Sequence, residues 1–411
     1  MSIAFVVQRY GAEVAGGAEA LARDTARALV RAGEDVTVFT TTARDYLSWE
    51  PFYPEGTSMD DGVVVRRFAV DPPDPRRSAA LVRQLGLSPG DPALEAAWAT
   101  AQGPVSRGLL AALANRGDFN RGDSPSPGTV PMRGLSPGRG CPRVVVCWTY
   151  LYATSQMAMP IVRDRSILVP LAHEEPMLRF TLTRGVIRMA RALAFMTPEE
   201  RRLVEDTAGV GGTPGVVVGA GLDPSPDGDA AHARAARPLP PRFVLYLGRV
   251  DAAKGVDALI RAHRAYRDAG GTLGLVLAGR EAPGTRIPGW VTTTGFLTDG
   301  ERADLLAAAE VVVLPSPYES LSLVALEAWR AGRPTLGNAR ANVVAGQTAR
   351  SGGGLLYTGP VTYGRQLDRL AASPAECLAL GRSGRAFAAH WTWDACVARW
   401  REVIALAGGT P

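Results

Sequence analysis

Short, wholly apolar runs alternate with segments of helical period along this chain, and after a proline-rich break the alternation starts again. Strands of a parallel sheet read as continuous apolar runs because helices cover both faces. In the first half such runs are IAFVV (3–7), VTVFTT (36–41), GVVVRRF (62–68), VVVCW (144–148), ILVPLA (167–172), ALAFM (192–196) and GVVVG (215–219). GGAEALARDTARALVRAG (16–33) is an amphipathic helix stopped by Gly33. In the second half, FVLYL (243–247), LGLVLAG (273–279) and VVVLP (311–315) predict strands. Helices are expected at 257–269, 300–309 and 321–331. The expectation is an α/β protein of two domains, since 411 residues exceed one ordinary core. Two such domains imply a cleft, a usual place for a ligand.

The boundaries follow from composition. Residues 1–222 form the first domain, with a Gly-, Pro-, Ser- and Arg-rich insertion at 115–142 that lacks apolar period. DPSPDGDAAHARAARPLPP (223–241) reads as a linker, and 242–388 as the second domain. A helix with three tryptophans, WTWDACVARWREVIAL (391–406), falls within 389–411, expected to pack back on the first domain.

Apolar content of 46% and charge of 21% describe an ordinary globular chain. No apolar run reaches the roughly 18 residues a membrane span needs. The N-terminus lacks a basic segment followed by a long apolar one, so no signal peptide is read and a cytoplasmic location is expected. Four cysteines show neither CxxC nor histidine partners at metal spacing, which predicts reduced thiols and no structural metal. Residues 101–191 hold 12 arginines against 5 acids. Arg184, Arg188 and Arg191 recur at helical spacing, predicting a basic face that either meets an anionic membrane, on the inner side of the cell membrane, or is merely solvated. No recognisable nucleic-acid module accompanies these arginines.

Against 44 arginines the chain has a single lysine, Lys254. Where arginine supplies every ordinary positive charge, a lone lysine marks either a surviving codon on a solvated loop or a place that needs a compact ammonium. Lys254 lies in GRVDAAKG (248–255), directly after a strand-like run. Arg249 and Lys254 thus fall on one loop at the C-terminal edge of a sheet, where a diphosphate needs cations. The loop is not a Walker motif, because no glycine precedes Lys254 and no Ser or Thr follows it.

Gly16 and Gly17 open the first helix, where backbone amides and the helix dipole favour an anion. They do not complete GxGxxG, and the second strand ends in Thr40, Thr41 and Thr42 with no acid for a ribose, which argues against a nicotinamide cofactor. In PYESLSLVALEAWRAGRP (317–334), Glu319 and Glu327 stand eight residues apart. On one helix that is roughly 12 Å, too far for a glycosidase pair at about 5–9.5 Å. Glu319 is instead expected in the loop and Glu327 two turns into the helix, each holding a different part of an extended ligand. The amides of Ser320, Leu321 and Ser322 would face phosphate.

G-R-x4-K-G followed about 65 residues later by E-x7-E resembles glycosyltransferase family 4, the retaining nucleotide-sugar enzymes of the GT-B fold, in which two Rossmann-like domains face across a cleft. The resemblance is tight at 243–260 and 311–334 and loose through the first domain. It implies that Arg249 and Lys254 hold the donor diphosphate, Glu327 the ribose and Glu319 the sugar hydroxyls, with Gly17 approaching from the other domain. It also implies a catalytic role for His173, in LVPLAHEEPM (168–177), beside the reacting centre. Where the family often has His-Asp, this chain has His173–Glu174–Glu175, and VVVGAGLDP (216–224) replaces the usual Asn-Gly-Val-Asp. The segment 337–357 resembles bacterial polysaccharide-assembly members. The implied reaction moves a sugar from a nucleoside-diphosphate sugar to a sugar or lipid-linked sugar acceptor, with no cofactor or metal. The alternatives are an epimerase on the same fold and a non-catalytic nucleotide-sugar-binding subunit.

Overall fold

The computed structural model describes residues 1–408 apart from 15, 47, 73, 88–89, 116–141 and 225, so the 115–142 insertion lies outside the described residues except at its two ends. The chain divides into two compact units, Met1–Ala220 with Cys396–Pro411, and Gly221–Ala395.

In the first unit the apolar runs become β1 (Ser2–Val6), β2 (Asp35–Thr41), β4 (Val63–Phe68), β5 (Val144–Trp148), β6 (Ser166–Val169), β7 (Ala192–Phe195) and β8 (Gly215–Val217). They are joined by β3 (Gly56–Asp60), which the sequence pattern did not reveal. The sheet runs β3-β4-β2-β1-β5-β6-β7-β8, parallel except for the β3–β4 hairpin. GTSMD has too few apolar residues to read as a strand. It is legible only from its turn, where Asp61 and Gly62 both take positive φ, the geometry that suits a two-residue hairpin loop. Phe39, Val145, Leu168, Leu193 and Phe195 are among the strand residues that bury one core of this unit. From Cys396 onward, the helix Trp393–Gly408 belongs to this unit. Trp400 packs 6.0 Å from Phe5 and 5.9 Å from Trp148, ring to ring.

In the second unit β9 (Phe243–Leu247), β10 (Gly274–Ala278), β11 (Thr292–Gly295), β12 (Val311–Leu314), β13 (Thr335–Asn338) and β14 (Gly354–Tyr357) form an all-parallel sheet. Its order is β11-β10-β9-β12-β13-β14. Counted within the unit this is the doubly wound order 3-2-1-4-5-6, whose winding reverses between β9 and β12. Strands β11, β13 and β14 were not apparent in the sequence because TTTG, TLGN and GLLY are short and interrupted by glycine or polar residues.

The segment 223–241 is not a structureless linker. Asp229 caps the helix Ala230–Ala236, which is tied to the helix Asp299–Ala308 by His232–Asp304 at 2.6 Å and Arg237–Glu301 at 2.5 Å. Alanines hid this helix, because they carry helical propensity without apolar period.

His263 is wholly buried on the helix Val256–Asp268. Its Nε2 donates to the Leu273 carbonyl at 3.0 Å, which leaves Nδ1 to accept the Tyr363 hydroxyl at 2.8 Å. Burial holds the imidazole down to about 4. Below an unfolded value of about 6.5 the unfolded chain takes up the proton first. Stability is therefore complete above that pH and is lost as pH falls towards 4, by on the order of 3 kcal/mol. Thermal melts of the wild type and His263→Gln between pH 7.5 and 4.5 are expected to differ in slope, the variant lacking this component.

Candidate functional site

The two segments flanking the winding reversal of the second sheet carry most of the residues the sequence singled out. After β9 the chain turns at Gly248 and enters a 3₁₀ turn, Ala252–Lys254. The Tyr246 hydroxyl donates to the Arg249 carbonyl at 2.7 Å. Asp251 ties the loop together: one oxygen accepts the Lys254 amide at 2.8 Å, and the other pairs with the Arg249 guanidinium. Gly255 follows at φ +77°, and a Cβ there would stand 2.6 Å from the Pro315 carbonyl oxygen. Only glycine satisfies both conditions, so the K-G of the motif has a steric cause.

The segment after β12 runs from Pro315 to Ser322, and its Glu319 accepts a hydrogen bond from Lys254 Nζ at 3.0 Å. Lys254 is 37% exposed and Glu319 19%. The lone lysine and the first glutamate of E-x7-E, 65 residues apart, therefore meet across the two loops. An ion pair this exposed is weak, because water screens it and competes for both partners.

Ser322 caps the helix Leu323–Arg330 through its side chain, which accepts from the Ala325 amide at 3.3 Å. Its own N–H donates to the buried Gln347 Oε1 at 2.9 Å. The expectation that amides 320–322 together face a phosphate is corrected at Ser322, whose amide already has a buried partner. Leu321 is buried. Glu327 is the fifth residue of the helix, little more than one turn in, where two turns were expected. It lies 3.4 Å from Arg302 and apart from the Lys254–Glu319 pair in its contacts. Burial raises the Glu327 carboxyl above its ordinary value, against the pull of Arg302 and Arg330.

The first unit contributes a separate constellation. Gly16 is the cap of the helix Gly17–Arg31. A Cβ on Gly16 would lie 2.1 Å from Glu19 Oε2, whereas one on Gly17 would meet no protein atom within 4 Å. Glu19 is buried and accepts from Gln8 Nε2 at 2.8 Å and from the buried Arg9 guanidinium. Arg9 also donates to the Arg44 carbonyl at 3.0 Å. This brace beneath the glycine turn was missed from the sequence, which singled out the two glycines and gave Glu19 no role.

His173 follows β6. Just before it, Leu171 has φ +52° and the Ala172 amide donates to Glu200 Oε1 at 2.7 Å. Glu200 is fully buried and also accepts the Met196 amide at 2.5 Å. Burial pushes its carboxyl up to about 8, offset in part by these amides. Of the two glutamates after His173, Glu174 is exposed and paired with Arg179 at 3.1 Å. Glu175 is mostly covered, lies 3.7 Å from His173 Nδ1 and accepts the Tyr150 hydroxyl at 2.5 Å.

The basic face is also corrected. The helix ends at Met189 and Ala190 is extended, so Arg191 stands outside it, immediately before β7. Arg184 has a buried Nε, while Arg188 and Arg191 donate through Nε to the carbonyls of Ala208 (2.7 Å) and Ala407 (3.3 Å). No helix is long and apolar enough to cross a membrane among the described residues. Nor do three or more His, Cys, Asp or Glu among them cluster in a way that could hold a metal.

Residues 241–370 match the family described as glycosyl transferases group 1. A D-inositol 3-phosphate glycosyltransferase of Streptosporangium roseum is 32% identical over 260 residues, 57% of this chain and 59% of that protein. The chain thus spans about three-fifths of that relative's length. Sucrose-phosphate synthase of Thermosynechococcus elongatus superposes with a TM-score of 0.69 at 19% identity, over 97% of both chains. HepE of Anabaena, in complex with UDP and glucose, does so at 0.68 and 16%, over 98% of this chain and 99% of that one. The fold is that of the GT-B glycosyltransferases. Within the second unit, residues 241–370 carry the group 1 glycosyl transferase domain.

Lys254→Ala is expected to keep the melting temperature within about 2 °C, because an exposed ion pair contributes about 0–1 kcal/mol. The same variant is expected to lose nucleoside-diphosphate binding by calorimetry. Gly255→Ala should instead destabilise the fold, since both its φ and the Pro315 carbonyl oppose a side chain.

Proposed function

We propose that the chain transfers a sugar from a nucleoside-diphosphate sugar to an acceptor hydroxyl with retention of configuration. The Lys254–Glu319 contact at the winding reversal of the second sheet carries this reading. An arriving diphosphate outcompetes Glu319 for the ammonium, because two negative charges replace one and the existing pair is partly exposed. Lys254 moves to the phosphate, and the released Glu319 carboxylate accepts hydrogen bonds from the sugar hydroxyls. Arg249, anchored by Asp251 at one nitrogen, adds a second cation. Glu327, at the other end of E-x7-E, takes the ribose.

As the glycosidic bond breaks, negative charge grows on the leaving diphosphate, and fixed cations stabilise that charge more than they stabilise the ground state. The acceptor oxygen attacks from the face the diphosphate leaves, and its proton passes to the departing phosphate oxygen. His173 contacts the sugar beside the reacting carbon, and Gly17, with open space beside its Cα, admits the ligand to the amides of its helix. No metal is invoked, since the arginine and lysine supply the charge. The complex of HepE with UDP and glucose supports a UDP-sugar as the first donor to test. A sugar or lipid-linked sugar acceptor, and a place in polysaccharide or glycoconjugate assembly, belong to the same proposal. So does peripheral contact with the inner face of the cell membrane, through exposed Arg188 and Arg191, which line a depression of about 570 Å³.

A thermal-shift panel of UDP, GDP and ADP sugars is expected to raise the melting temperature for one nucleotide only, because a ligand that binds the folded state stabilises it. Proton NMR of the product should then show the anomeric configuration of the donor. Release of a donor isomer without any acceptor would indicate epimerisation, and binding without turnover a non-catalytic subunit. Sedimentation with anionic vesicles should fall on raising salt and in the variant lacking both Arg188 and Arg191.

A further inference from the structure

We propose that Glu175, held by Tyr150, is the positioning residue that orients the His173 imidazole for transfer. The inference rests on the glycosyl-transfer reading and names the group that acts through His173. The loop after β6 turns tightly at 173–175, the Glu175 amide donating to the His173 carbonyl at 2.8 Å. That turn brings the Glu175 carboxylate to 3.7 Å from His173 Nδ1, ion-pair range that a small rotation shortens to a hydrogen bond. Such contacts in a ligand-free enzyme often tighten only when substrate binds.

The carboxylate is not mobile in this arrangement. Tyr150, buried in the segment after β5, donates its hydroxyl to Glu175 Oε1 at 2.5 Å. Burial first, then the charges of Glu175 and Glu200, push that phenol far above its ordinary value, so it remains a donor at any working pH. Glu175 is therefore an acceptor with a fixed direction. The other charged groups about the loop are already engaged. Glu174 pairs with Arg179 in solvent, and Glu200 is spent on the backbone amides of Ala172 and Met196. Tyr152, flanked by Glu19, Arg9, Tyr46 and Glu175, is itself pushed up to about 12, chiefly by burial.

The consequence is chemical. A neutral imidazole has one N–H and one bare nitrogen, and a carboxylate at Nδ1 holds the proton there. Nε2 is then left as the acceptor that meets a sugar hydroxyl. The two glutamates that follow His173, where the family often has an Asp, thus separate into roles: Glu174 faces water, and Glu175 turns to the imidazole.

Long-range proton–nitrogen correlation spectra of protein carrying ¹⁵N-histidine, at a pH where the imidazoles are neutral, read the tautomer of each. His263, whose Nε2–H is fixed by the Leu273 carbonyl, is the internal reference. Wild-type His173 is expected as the Nδ1–H form, Glu175→Met as the Nε2–H form, and Glu174→Gln as wild type. Glu175→Met should lower kcat about 10- to 100-fold with donor KM within about twofold, and Glu175→Gln, which keeps an acceptor oxygen, should recover part of it. An Nε2–H tautomer for wild-type His173, or a wild-type kcat in Glu175→Met, overturns the proposal. If Glu175→Met does not fold, the wild-type tautomer decides alone. If no donor is turned over, the transfer reading fails, while the tautomer still decides the His173–Glu175 contact.

Discussion

A parallel sheet that is wound outward from its middle leaves one gap where neighbouring strands send their loops in opposite directions, and the second unit fills that gap with an ion pair. Lys254 leaves β9, Glu319 leaves β12, and the two strands are hydrogen-bonded neighbours. Every other feature of this half-site serves that meeting. Gly255 lets the two loops pass within van der Waals range, Asp251 fixes the turn that presents Lys254, and Gln347 holds the cap of the helix that follows Glu319. The pair stays exposed, so a ligand of higher charge can replace either member.

The same economy recurs at the other charges. Arg249 rests on Asp251, Arg302 on Glu327, and Arg9 on Glu19. Burial separates their functions. The Arg9–Glu19 pair is almost wholly inside and supports the Gly16 turn, since breaking a buried pair strands an unpaired charge. The pairs around Lys254 are partly solvated and can exchange partners.

Much of this was legible before any coordinates. The apolar runs located most strands, because a strand covered on both faces must be apolar throughout. The spacing G-R-x4-K-G and E-x7-E located the two loops that meet at Lys254 and Glu319. The elements that escaped are those whose sequence does not carry their environment. β3 and β11 lie at sheet edges and are partly solvated, and the helix Ala230–Ala236 is built of alanines that pack without showing a period. Arg191 was placed on a helical face that ends two residues earlier, because periodicity continues through a strand start until a backbone turn interrupts it.

The order of residues determined by itself that the chain is two α/β units, that its lone lysine follows a strand, and that a histidine ends another. These are local facts, set by propensity, period and glycine. Only the tertiary structure decided that Lys254 contacts Glu319 rather than Glu327, that Glu175 rather than Glu174 turns towards His173, and that Glu200 secures the backbone just ahead of His173. Such pairings depend on strand order and on which side chains lose water together. Both are properties of the packed sheet, and no spacing along the chain encodes them.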